Sequence, residues 1–248
     1  MSQLLIQPVL HNEAMKCVQI RTASLGSLVI GRPPAYPGYL EDQVATIQND
    51  LINKPHVRHL KVVDVGQIIA YAKWETYPTG RPDLEQLKQP MDEQSKRVDQ
   101  YGKLREAAHE YFSRCNGGPM GCRPHIRKSA RDSHFSCERA SMAVHSLTIS
   151  LSVLALLVTS EEYRHKRAGS LLLQWGLERS EQLNIPCYLQ ASVQGRRLYE
   201  KYGFQAIDTV EFDLGEYGLD GMEEMTEMIR HPSVCTNAVN DRAEGRAR

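Results

Sequence analysis

The stretch Tyr163-Arg-His-Lys-Arg-Ala-Gly-Ser170 places basic side chains and then small residues at the head of a long amphipathic segment. That combination suits an anion. The first turn of a helix carries N–H groups without intrahelical partners, and the helix dipole adds positive potential at the same end. Ahead of it, Leu154-Ala-Leu-Leu-Val158 is an apolar run of strand length, so the order reads strand, phosphate-type loop, helix. Neither the glycine spacing of a dinucleotide-binding loop nor that of a Walker loop is present. Downstream, Leu198-Tyr-Glu-Lys-Tyr-Gly-Phe204 supplies Tyr199. A phenol has a pKa near 10, so it stays protonated at neutral pH and can act as a proton donor.

These two segments resemble the GNAT N-acetyltransferase superfamily. Its loop reads Gln/Arg-x-x-Gly-x-Gly/Ala and holds the pyrophosphate of acetyl-coenzyme A. Arg164 matches the first position and Gly169 the last, while Arg167 stands where the family has its first glycine. Arginine adds a phosphate partner there, but is not expected to supply positive φ or the same close backbone approach. Leu198-Tyr199 with Gly203-Phe204 is similar to the family's second signature. The resemblance runs over roughly 2–230 in element order and is specific across about 154–213.

The resemblance implies an α/β fold with a mixed, mainly antiparallel sheet flanked by helices, as a single domain over 1–230. The cofactor cleft would lie between two splayed parallel central strands, Leu154–Val158 and Cys187–Ala191, joined through a helix Arg167–Leu183. The implied activity is direct transfer of an acetyl group from acetyl-coenzyme A to an amine, on a small molecule or a peptide. Cofactor contacts would come from main-chain groups of Leu157, Val158 and Thr159, and from Arg164, Lys166, Arg167, Ala168, Gly169 and Ser170. Ser192 stands where relatives often have Asn. Tyr199 would be the acid that protonates the departing thiolate, with packing as its competing role. The strand before the loop has no ionisable side chain, so Glu75 is the nearest base by topology, with a plain surface glutamate as its competing identity; a water chain carrying the amine proton to solvent would need no base. The alternative function is a catalytically impaired acyl-coenzyme A-binding homologue, motivated by Arg167 and by the stretch 127–153.

Composition narrows the class. Lys plus Arg equals Asp plus Glu at 30 each, which argues against a general nucleic-acid or anionic-membrane partner. No run of apolar residues is long enough to span a bilayer. The N-terminus lacks a basic n-region, and the six cysteines form no CxxC, so reduced thiols and a cytoplasmic or nuclear location are expected. Cys115, Cys122, His125, His134, Cys137 and His145 lack the paired spacing of a zinc site, and no metal is expected. Oligomeric state is not specified.

In chain order, Leu4–Val9 reads as a strand and Asn12 as the cap of a helix carrying Ala14, Met15, Val18 and Ile20. Gly31–Gly38 reads as a loop, Leu40–Ile52 as a helix, and Leu60–Asp64 with Gln67–Trp74 as a hairpin. Tyr77–Pro90 reads as a linker and Asp92–Cys115 as an amphipathic helix. On the helix after the loop, Ala168, Leu171, Leu172 and Trp175 share a face. Gln194–Tyr202 reads as a helix, Phe204–Leu214 and Met225–Ile229 as the last strands, and 231–248 as a disordered tail.

Arg127–Val153 interrupts the order expected from the resemblance, in which Arg123-Pro124-His125-Ile126 leads almost directly into the central strand. Two readings stand: a genuine insertion, or translation of an unspliced intron. Arg127-Lys128-Ser129 can be encoded around a GTAAGT donor, and Leu151-Ser152-Val153 can end in a CAG acceptor. Thr148–Val153 could in either case prolong the strand. Amplifying the transcript decides between them: a single spliced product that retains these codons makes the segment a true insertion.

Overall fold

Val57–Asp64 and Gln67–Tyr77 are rich in β-branched and aromatic residues, and both form strands (β2 and β3). Val65 and Gly66 between them both take positive φ, 45° and 78°, the conformation that turns two strands back with the right twist. The computed structural model describes residues 3–26, 28, 36–80, 102–104, 107–108, 128–129 and 150–233. The remaining strands are β1 (Leu5–Pro8), a two-residue β4 (Lys128–Ser129), β5 (Leu151–Thr159), β6 (Cys187–Ser192), β7 (Gln205–Asp213) and β8 (Met222–Arg230). They form one sheet in the order β1-β2-β3-β5-β6-β8-β7-β4. All pairs are antiparallel except β5 with β6 and β4 with β7. The expected mixed, mainly antiparallel sheet with adjacent central parallel strands is therefore present.

The helices are α1 (Ala14–Leu25), α2 (Tyr39–Asn53), α3 (Ala168–Leu183) and α4 (Val193–Lys201). Alternation along the strands assigns them to two faces. On one face Tyr71 and Val158 pack with Val18 and Ile20 of α1 and Ile47 of α2. On the other, Trp74, Leu154 and Leu189 pack with Leu172, Leu173 and Leu177 of α3 and Tyr199 of α4. Leu104 and Ala108, from the expected helix 92–115, are buried against Val210, Phe212 and Leu214.

Trp74 fixes α3 to the sheet. Its indole N–H donates to the Leu172 carbonyl at 3.2 Å, and a Cβ added at Gly176 would lie 2.1 Å from the ring. The fully buried face of α3 runs through Ala168, Leu172, Leu173, Gly176, Leu177 and Ser180, and Leu171 and Trp175 flank it, partly buried and packed against the same core. A glycine in mid-helix reads as a weak point, and only the indole across from it explains it.

A buried polar network ties α2 to β2 and β3. The Asp50 carboxylate lies 2.8 Å from Lys54, 2.9 Å from Lys73 and 3.2 Å from His59 Nε2. Burial pushes this carboxyl up, but the two ammonium partners outweigh it and leave its pKa lowered. Burial, then Lys73, lowers His59, so the ring is neutral. A carboxylate can only accept, which puts the ring proton on Nε2 and leaves Nδ1 to accept from the Tyr71 hydroxyl at 2.6 Å.

Two local expectations change. Asn12 lies within a short turn, His11–Glu13, and the Glu13 carboxylate instead accepts the Leu10 N–H at 2.8 Å. Met15 is exposed, while Cys17 takes the buried position beside Ala14, Val18 and Ile20. Of the stretch 127–153, Leu151, Ser152 and Val153 are buried members of β5 and extend the strand as anticipated. The zinc-type residues 115–145, most of 81–127 and the tail from 234 lie outside the described residues.

Gly176→Ala sets helix propensity against packing. Alanine gains about 1 kcal/mol in a helix interior, whereas a methyl group driven into the indole costs about 1–3 kcal/mol or more. At 2.1 Å the clash wins, and chemical denaturation is expected to show a net loss of stability.

Candidate active site

The parallel ladder of β5 and β6 is three pairs long: Ser152 with Cys187, Val153 with Tyr188, Leu154 with Leu189. It stops where β5 bulges. Against β3, Lys73 opposes Leu156 and Trp74 opposes Leu154, which leaves Ala155 unpaired and exposed. An extra residue on one strand bends it, and here the bend turns β5 away from β6. Leu156, Leu157, Val158 and Thr159 stay paired to β3 but have no ladder partner on the β6 side.

The strand leads into the basic loop and the start of α3. A Cβ built on Gly169 would meet Thr159 Oγ1 at 3.6 Å, Leu198 Cδ2 at 3.8 Å and Leu157 Cδ2 at 3.9 Å. The helix start, the end of β5 and α4 thus converge at the open end of the strand pair. Within α3 the first backbone bond from its N-terminal turn runs from Leu171 N–H to the Arg167 carbonyl. Among the described residues nothing accepts from the N–H groups of Ala168, Gly169 or Ser170, and Arg167 caps them with no side-chain bond. Arg164, His165, Lys166 and Arg167 are all exposed around these donors. Arg164 lies 3.8 Å from Glu161, a weak solvent-exposed pair, and Lys166 sits over the Tyr163 ring at 4.6 Å.

Arg167 corrects one expectation. It takes φ 69°, and His165 takes φ 63°, both in the left-handed region. Arginine thus adopts the backbone conformation for which a glycine would be the usual residue, and the substitution removes no backbone donor from the helix start.

Tyr199 is buried, with its ring edge-on to Phe204 at 6.0 Å and against Gly195. Burial pushes its phenol up, so it holds its proton throughout the physiological range. Ser192 caps α4, its hydroxyl accepting from Gly195 N–H at 3.4 Å. Glu75 lies level with Val153, at the closed end of the ladder. One of its oxygens is 3.2 Å from Lys73 Nζ, and the other accepts the Tyr77 hydroxyl at 2.9 Å. The loop residues, the strand end, Gly169 and α4 are brought together; Glu75 is set apart from them.

Sequence reasoning passed over Tyr188, Gln190 and Glu227. Glu227 is buried on β8 opposite Gln190, and the Tyr188 hydroxyl donates to it at 2.6 Å. Its signal was slight, because Glu227 is one of three glutamates in Met222–Arg230 and reads as a solvated carboxylate, whereas Thr226–Ile229 are buried in succession. A shallow groove of about 530 Å³ between Pro55–Arg58 and Trp175–Leu183, at the far end of α3, holds none of the candidate residues. Among the described residues no group of three or more His, Cys, Asp or Glu could hold a metal, and no helix is long and apolar enough to cross a membrane.

No family model and no curated protein sequence matches the chain. Solved structures do. The chain is similar to a polyamine N-acetyltransferase of Drosophila melanogaster (14% identity, 92% of this chain and 100% of that one, TM-score 0.58). It is also similar to a variant of an agmatine N-acetyltransferase (15% identity, 92% and 99%, TM-score 0.54). A histone acetyltransferase-related protein of Corynebacterium glutamicum gives 15% identity, 94% and 98%, and TM-score 0.51. The likeness is one of fold: the chain has the GNAT fold of these acetyltransferases.

Arg167→Gly separates the loop's backbone from its charge. Relief of a left-handed penalty of about 1–2 kcal/mol, less the greater unfolded-chain freedom of glycine, is expected to stabilise the protein by roughly 0.5–1 kcal/mol in thermal unfolding. Affinity for coenzyme A, measured by calorimetry, is expected to fall, because the backbone has no defect for glycine to repair.

Proposed function

We propose that the protein is an acetyl-coenzyme A-dependent N-acetyltransferase that moves the acetyl group directly to an amine. The observation that carries this reading is the join of two features. A parallel strand pair opens after Leu154, and the three unpartnered N–H groups of Ala168–Ser170 stand at its open end. The donor set suits a pyrophosphate, since backbone N–H groups, two arginines and a lysine surround it and Gly169 leaves room for close approach. When bound, acetyl-coenzyme A supplies the acetyl group as a thioester.

The chain's own residues do the rest. Arg164, Lys166 and Arg167 hold phosphate charge, arginine through paired N–H groups and lysine as a point charge. The backbone edge of Leu157–Thr159 has no ladder partner on the β6 side and can orient an extended arm and a carbonyl, as an added strand would, with the Thr159 carbonyl already accepting from the Ser24 hydroxyl at 3.1 Å. The Ser192 hydroxyl retains its own proton for a ligand while accepting from Gly195. Tyr199 holds a proton at Oη that a departing thiolate can take. The names of two fold relatives, a polyamine and an agmatine acetyltransferase, support a small amine as acceptor. A cytoplasmic or nuclear setting fits such a substrate.

Two measurements test this. Calorimetric titration with acetyl-coenzyme A is expected to show binding that a bulky residue at Gly169 weakens, and an amine panel is expected to release free thiol. Tyr199→Phe keeps the ring and is expected to bind acetyl-coenzyme A as the native protein does while turnover falls by about 10²–10⁴-fold. The loss shrinks with an acyl donor whose leaving thiol is more acidic. Unchanged turnover with chemistry rate-limiting returns Tyr199 to packing.

A further inference from the structure

Gln190 is the first residue of β6 beyond the last parallel pair, so it stands on the part of the strand that has separated from β5. Glu227 is its partner across the β6–β8 ladder and shares its face with Tyr188. The carboxyl is 5% exposed, and the Tyr188 hydroxyl holds Oε1 at 2.6 Å. Among the described residues no cation pairs with it. A carboxylate buried without a counter-ion is poor structural material; glutamine would fill the same space without the charge.

We propose that Glu227 is the proton acceptor for the incoming amine, an assignment that rests on the acetyl-transfer reading of this cleft. An amine arriving as an ammonium ion has no free electron pair. One N–H bond breaks, the pair stays on nitrogen, and the proton passes to the Glu227 carboxylate, which becomes the neutral acid and later releases it to solvent. Glu75 is the less suitable base, because the Lys73 ammonium lies 3.2 Å from it and it stands at the closed end of the ladder opposite Val153.

The groups facing Glu227 are Tyr188 and Gln190 from β6 and Asp208 from β7. Burial raises its pKa, Asp208 raises it further, and the Tyr188 and Gln190 bonds oppose both; the net shift is upward. Such a carboxylate is a stronger base than an exposed one. The sign for stability follows. The folded state binds this proton more tightly than the unfolded chain does, so the stabilising contribution is full below the unfolded value and lost as pH rises through the folded one. Above the folded value the native protein carries a buried charge that Glu227→Gln removes.

The experiment compares the native protein with Glu227→Gln, Glu227→Asp and Tyr188→Phe, using agmatine and spermidine as acceptors. It reads kcat/KM against pH, acetyl-coenzyme A affinity by calorimetry, and thermal stability against pH. Glu227→Gln is expected to lose about 10²–10⁴-fold in kcat/KM together with the acid limb of the profile, at unchanged acetyl-coenzyme A affinity. It is also expected to be at least as stable as the native protein at neutral pH, with the difference closing as pH falls. Glu227→Asp restores part of the rate, and Tyr188→Phe moves the limb without abolishing it. A Glu227→Gln protein with native rate and native acid limb overturns the assignment, and so does one that is less stable at neutral pH. Carbon-13 NMR of labelled glutamate, with Glu227→Gln identifying the signal, needs no turnover. A carboxyl that titrates at or below the ordinary glutamate value overturns the assignment whether or not either amine is acetylated. Failure of the native protein to bind acetyl-coenzyme A overturns the acetyl-transfer reading instead.

Discussion

The parallel pairing of β5 and β6 ends after three residues, and the remaining architecture follows from that limit. A sheet with a continuous ladder here would be a closed surface, with every backbone group satisfied. The bulge at Ala155 interrupts the register against β3 while leaving β5 attached to that side. Four further residues of β5 therefore present an edge in the middle of the sheet. An interior edge is normally a liability, because unpaired N–H and C=O groups recruit other strands. Here α3 begins beside it and α4 packs close by, so the edge and the helix start lie together.

The two faces of the sheet divide the labour. On the α3 face the packing is apolar and rigid, with Trp74 pressed on Gly176 and Tyr199 seated between Gly195 and Phe204. On the other face, charge is buried. Asp50 gathers Lys54, Lys73 and His59, and Lys61 pairs with Glu13. Each of these ions has a partner, which is the condition for keeping them out of water. Among the described residues Glu227, also on this second face, has no such partner, which sets it apart from the structural ions.

The sequence made the element order legible because the signals there are strong. Apolar runs of strand length, the Val65-Gly66 turn and the basic loop before an amphipathic helix each have one sensible reading. What it hid depends on contacts between distant residues. Nothing in the letters around Arg167 announces a left-handed backbone, since arginine rarely adopts one. Trp175 packs only partly buried at the flank of that core, and the indole from β3 that lies on Gly176 is the aromatic at its centre. Glu75 was expected just past a strand ending at Trp74, but β3 runs on to Tyr77 and Lys73 and Tyr77 engage the carboxylate. Glu227 is one of three glutamates in its strand and reads as a solvated carboxylate, yet Thr226–Ile229 are buried in succession.

The left-handed turn at Arg167 also bears on the speed of recognition. The loop is already bent into its strained shape in the free protein, with the first-turn N–H groups pointing outward together. Ordering a flexible loop around an anion would require the ligand to wait for a rare conformation, and would reduce its apparent affinity by the fraction of time the loop is competent. Here that entropy has been given up at folding. On the proposed reading, exposed cations would draw the phosphate in by long-range attraction to a loop that needs little rearrangement.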